Sequence, residues 1–77
     1  MNRGDKTTVD ELKAGDRFYK VADKLKTSYQ IISGVETCES EYIKNGAAPL
    51  YRLRKMKGST IVVFLRNVNQ TNETHEK

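Results

Sequence analysis

Thr60-Ile61-Val62-Val63-Phe64-Leu65-Arg66 is the most apolar run in the chain, and its β-branched and aromatic residues predict a strand. Ahead of it, Lys57-Gly58-Ser59 reads as a tight turn. Leu50-Tyr51-Arg52-Leu53-Arg54-Lys55-Met56 reads as a second strand, in which apolar and basic residues alternate. Asn45-Gly46 is the strongest turn dipeptide present, since both residues tolerate positive φ. It predicts a hairpin pairing segment 36–43 with 50–56, across a loop lengthened by Ala47-Ala48-Pro49. Further upstream, Thr27 to Ser33 (TSYQIIS) and Arg17-Phe18-Tyr19-Lys20-Val21, opened by Asp16, have the same strand composition. Gly34 offers a bulge or sharp bend between ladders. Thr8-Val9-Asp10-Glu11 fits a capping box, and Gly15 stops the helix it would start after a single turn.

Five short strands on short loops leave no stretch for a crossover helix, which implies an all-β antiparallel meander with one short N-terminal helical turn. Such a sheet has no helix to cover its apolar face and is expected to curl into a small five-stranded SH3-like barrel. An OB-like barrel is the runner-up, weakened because only Asn45 to Pro49 is available for the helix that fold usually carries. With 77 residues, of which 36% are hydrophobic, one thin core is the expectation. Residues 1–8 carry no apolar anchor and read as a flexible N-terminus, 9–66 as the single domain. Residues 67–77, with Val68 as their sole aliphatic side chain, read as a flexible C-terminal tail.

Within this frame, Val9-Asp10-Glu11-Leu12-Lys13-Ala14-Gly15-Asp16-Arg17-Phe18 resembles the LKxGD opening of several small β-barrel domains, including intein-type barrels and SH3-like modules of translation and nucleic-acid proteins. The matching positions are Leu12 to Asp16. The resemblance implies a barrel whose first strand is launched by Gly-Asp. Intein chemistry is not implied, because no nucleophilic Cys or Ser stands at the start of the domain and no catalytic histidine is suitably placed.

The charge is segregated. Lys and Arg number 14 against 10 Asp and Glu, for a net +4, a moderate excess that steers a protein toward polyanions. Pro49 to Asn72 contains no acid, whereas Glu36, Glu39 and Glu41 form a cluster just upstream with no base from Gly34 to Ile43. No window of ~18 apolar residues occurs, so no membrane span is expected. The opening residues lack an apolar signal region, and a cytoplasmic location is expected. One cysteine permits no internal disulfide, and one histidine gives no zinc set; no cofactor or metal is expected. Cys38 lies between Thr37 and Glu39, where acidic neighbours suppress the thiolate. His75 has no triad partner nearby, and the acceptor patterns Asn69-Gln70-Thr71 and Asn72-Glu73-Thr74 read as chance. The glycines at 4, 15, 34, 46 and 58 are turn punctuation rather than a phosphate loop, and the carboxylates look exposed. Enzyme activity and a small-molecule substrate are therefore not expected.

A surface-binding role remains. If Tyr51 and Leu53 point inward, Arg52 and Arg54 share the outer face about 7 Å apart, a spacing comparable with successive phosphates. Lys55 and Lys57 extend that strip. If Ile61, Val63 and Leu65 fill the core, Phe64 and Arg66 share the outer face of the last strand, an aromatic beside a guanidinium as single-stranded nucleic acid favours. The expected site is thus Arg52, Arg54, Lys55, Lys57, Arg66, Phe64 and Tyr51, binding nucleic acid weakly and with salt dependence. The bland reading is that these cations are solvated or pair with Glu36, Glu39 and Glu41. The alternative function is a protein-interaction or assembly module that docks through the acidic and basic strips, with Glu36, Glu39, Glu41, Tyr19 and Tyr42 contributing.

Overall fold

A computed structural model describes residues 2–69. In chain order it contains β1 (Lys6–Thr8), a 3-10 turn (Val9–Glu11), β2 (Asp16–Lys20), β3 (Ser28–Ser33), β4 (Glu36–Glu39), α1 (Ser40–Lys44), a second 3-10 turn (Pro49–Arg52), β5 (Arg54–Lys55) and β6 (Ile61–Asn67). The strands form one six-stranded sheet in the order β1-β6-β2-β3-β4-β5. Every neighbouring pair is antiparallel. The all-β expectation holds; the sheet is open, with β1 and β5 as its edges.

The Gly-Asp opening of β2 locks three parts of the chain together. Gly15 has φ +91, a backbone conformation that strains any residue with a Cβ, so glycine is favoured there. Its amide donates to Ile31 O at 2.9 Å and its carbonyl accepts from Val68 N at 3.0 Å. Asp16, only 3% exposed, accepts from the Lys13 amide at 2.9 Å and from Asn67 Nδ2 at 2.6 Å. The Asn67 amide also donates to Ala14 O at 3.1 Å, tying the end of β6 to the start of β2. A buried carboxylate is tolerable because each oxygen has a donor.

The core gathers Val9, Leu12, Phe18, Ile31, Val62 and Phe64, with Tyr29, Val35 and Met56 packed against them. Phe18 and Tyr29, register partners on β2 and β3, stack with ring centroids 5.9 Å apart. The face of β6 is the reverse of the expected one: Val62 and Phe64 enter this cluster, whereas Ile61 is exposed and Leu65 half-buried. A run apolar on both faces has no period-two signal to select its inner side. Two things set the register: the backbone pairings with β1 and β2, and an irregularity between Arg17 and Phe18 that shifts their β6 partners from Arg66 to Phe64. Val63, also buried, lies on the opposite face between Lys6 and Tyr19.

Five further expectations change. Residues 1–8 are not all without structure, since Lys6–Thr8 pair with Ile61–Val63 and the Asp5 carbonyl accepts from Phe64 N at 2.8 Å. Backbone bonds, not apolar anchors, hold this polar edge. Likewise Asn67, assigned to the tail, is buried at the end of β6. The capping box does not form: the Thr8 hydroxyl caps no backbone amide of the 3-10 turn and donates to the Asp10 carboxylate instead. Segment 36–43 is a strand only to Glu39, and α1 follows. Asn45-Gly46 ends that helix instead of turning a hairpin, because Gly46 (φ +82) donates to Ile43 O at 3.1 Å and Ala47 to Tyr42 O at 2.9 Å. Those two bonds are a Schellman motif, which needs the same left-handed residue that a tight hairpin needs.

Pro49 then starts a 3-10 turn where a strand over 50–56 was expected, so β5 is reduced to Arg54–Lys55, opposite Thr37 and Glu36. The turn at Lys57-Gly58-Ser59 is present, closed by Thr60 N to Lys57 O at 3.0 Å. It docks on the first 3-10 turn, where Asp10 N donates to Gly58 O at 3.0 Å. The two-residue Gly34-Val35 turn joins β3 to β4, with Gly34 at φ +58.

Candidate functional site

The edge made by the Pro49–Arg52 turn and β5 carries most of the expected cations. Arg52, Arg54, Lys55 and Lys57 are all exposed there. Tyr51 is 88% exposed and Leu50 72%. Tyr51 was expected to point inward; because it sits on a 3-10 turn and not on a strand, no alternation applies and its ring stands in solvent. For the same reason Arg52 and Arg54 are not two rungs of one strand face.

These cations are not equivalent. Arg52 lies over the Tyr42 ring, 4.5 Å from its centroid, a cation–π contact that fixes the guanidinium against α1. Lys55 faces Glu36 across the β4–β5 ladder, so the acidic and basic strips lie side by side. The Arg54 carbonyl accepts from Thr37 Oγ1 at 3.1 Å, anchoring the backbone and leaving the guanidinium outside. Among the described residues no Lys or Arg of this edge forms an ion pair. Leu53 and Met56 are half-buried, and Met56 N donates to Val35 O at 3.1 Å, which ties the edge to the β3–β4 turn.

Two expected members stand elsewhere. Phe64, 6% exposed, is a core residue and offers no face for stacking. Arg66 is exposed on β6 opposite Arg17, and β2, β3 and β4 separate it from β5. Of the interaction residues, Glu41 is exposed on α1, while Glu36 and Glu39 are half-buried on β4. Tyr42 is covered by Arg52, and Tyr19 holds the Lys26 ammonium 5.8 Å from its ring. Leu50 escaped the sequence reading, although Pro49 before it is a usable signal for a turn rather than a strand.

Cys38 is buried, and its thiol donates weakly to Glu39 O at 3.6 Å. Burial, then the Glu39 carboxylate, pushes the thiol above its ordinary range, with Arg52 opposing. The direction agrees with the sequence reading, though burial contributes more than charge. His75 and the acceptor pattern at Asn72 lie outside the described residues, as does most of the Asn69 pattern and of the expected tail. Among the described residues no three His, Cys, Asp or Glu side chains gather as a metal set, and no helix is long and apolar enough to cross a membrane. No family model matches the chain, and neither a curated protein nor a solved structure does.

Proposed function

We propose that this chain is a small non-enzymatic binding module that takes single-stranded nucleic acid, weakly, along the β5 edge. The observation that carries this reading is Tyr51: a ring 88% exposed, in a segment that holds Arg52, Arg54, Lys55 and Lys57 and no acid. Bases stack on exposed aromatic faces, and cations beside them meet the phosphates. Arg54, Lys55 and Lys57 are the phosphate contacts, while Arg52, held on Tyr42, stiffens the turn that presents Tyr51. The strand order β6-β2-β3-β4-β5, in which the last strand returns beside the first of the meander, supports an SH3-like scaffold that has not closed. A lone buried thiol without a disulfide suits the reducing cytoplasm.

Anisotropy of a labelled oligothymidylate at several salt concentrations tests this. Three phosphate contacts give a log K against log salt slope of roughly −2 for a single strand, falling to about −0.7 in an Arg54→Ala, Lys57→Ala variant. Tyr51→Ala weakens binding at every salt concentration and leaves the slope alone. Unchanged affinity in both variants overturns the assignment. The alternative, an assembly module, draws on Glu36 facing Lys55 and on exposed Leu50 beside them. A molar mass that rises with protein concentration favours it.

A further inference from the structure

Arg17 and Arg66 are register partners on β2 and β6, so two positive side chains stand directly opposite each other in the middle of the sheet. Like charges in that position repel and disfavour the fold unless something negative lies between them. Nothing in the surrounding strands supplies it. Lys6–Thr8, Ser28–Ser33 and Ile61–Asn67 contain no acid. The one carboxylate on β2, Asp16, is committed to the Lys13 amide and Asn67. The β4 carboxylates are two strands away from β2.

The pair is also held in a defined geometry. Arg17 is half-buried, and its Nε donates to Gln30 Oε1 at 3.0 Å, across the β2–β3 ladder. That bond orients the guanidinium plane and leaves the terminal nitrogens free of any hydrogen-bond partner among the described residues. Arg66, exposed, is its register partner across the β2–β6 ladder. The neighbouring rung of the same face carries Lys6, Val63 and Tyr19, with the Lys26 ammonium over the tyrosine ring. Burial, and after it Arg66, lowers the pKa of Arg17 from its ordinary value, the electrostatic sign of two cations facing each other without a counter-charge.

We propose that Arg17 and Arg66, with Gln30 as the residue that positions Arg17, form a phosphate-group site on the sheet face away from the core. A planar fork that is oriented in advance and paired with a second guanidinium matches the oxygens of a phosphate, which each arginine can bind through two parallel bonds. The site is separate from the β5 edge, so either can fail without the other. Its ligand is a phosphate oxyanion, carried by a small phosphorylated molecule or by a nucleic-acid backbone.

The test follows the arginine Nε–H resonances of the full chain by NMR in two titrations, each against sodium chloride of matched ionic strength. One uses inorganic phosphate and the other a short oligothymidylate. The expected result is a saturable shift of the Arg17 and Arg66 signals in at least one titration. A response to phosphate identifies a small phosphorylated ligand, and a response to the oligothymidylate alone identifies the backbone. Arg66→Gln, at an exposed position, keeps the fold and weakens the interaction about tenfold, the loss expected for one charge-assisted contact. Arg17→Lys keeps the charge but loses the fork, and weakens it as well. If neither probe moves these two signals beyond the chloride control, the proposal is wrong, even if amides of residues 51–57 respond to the oligothymidylate.

Discussion

Replacing Asp16 by alanine tests the tie between the two ends of the meander. The carboxylate is 3% exposed and accepts two hydrogen bonds, from Lys13 N at 2.9 Å and Asn67 Nδ2 at 2.6 Å. A bond to a charged acceptor contributes about 1.5–3 kcal/mol net. The loss is reduced because Asn67 keeps its bond to Ala14 O, and because burying the carboxylate no longer costs desolvation. The expected loss is therefore about 2–4 kcal/mol. For a chain of this length total stability is on the order of 4–12 kcal/mol, so Asp16→Ala removes at least about a sixth of it. Asp16→Asn keeps one acceptor and falls between. Urea unfolding followed by circular dichroism measures both variants, and the midpoint should drop with little change in slope. A loss below about 0.5 kcal/mol, the range of ordinary surface substitutions, refutes the claim that this network holds β2 to β6.

Gly46→Ala places a Cβ at φ +82 in the Schellman motif that ends α1, and is expected to cost about 1–2 kcal/mol in the same assay. Removing the like-charge rung by Arg66→Gln should raise stability by roughly 0.2–1 kcal/mol in phosphate-free buffer; a fall would mean that Arg66 has a stabilising partner. The Cys38 thiol, raised above its ordinary 9.0 chiefly by burial, must stay neutral in the fold. Its contribution is intact below pH 9.0 and is lost as pH rises through the folded value, with a slope of at most about 1.4 kcal/mol per pH unit. Cys38→Ala should flatten the decline that begins there, and equal alkaline slopes in the two proteins would contradict this.

Strand composition alone located β2, β3 and β6 to within a residue or two, because aromatic and β-branched clusters bounded by turn residues have few other uses. The Gly-Asp motif was legible as a strand opening, but its partners Asn67 and Val68 lie over 50 residues away in the chain, and no local pattern announces them. Two misreadings share one cause. Asn-Gly satisfies a hairpin and a helix terminus equally, and a five-residue helix is too short to display a period, so its residues 40–43 read as strand. Without the long hairpin, the alternation that would have turned Tyr51 inward and aligned Arg52 with Arg54 vanished. The cations of the edge were legible as a cluster; that Arg52 is held was not, since that depends on Tyr42. Arg17 was read only as part of a strand, and its significance appears once the register sets it against Arg66.

The β5 edge is tested most directly by heteronuclear NMR of the labelled full chain, titrated with a short oligothymidylate at low and at high salt. Amide shifts concentrated on Tyr51 to Lys57, large at low salt and fading at high salt, are the predicted result. A well-dispersed spectrum with no shift in that segment at either salt concentration would contradict it.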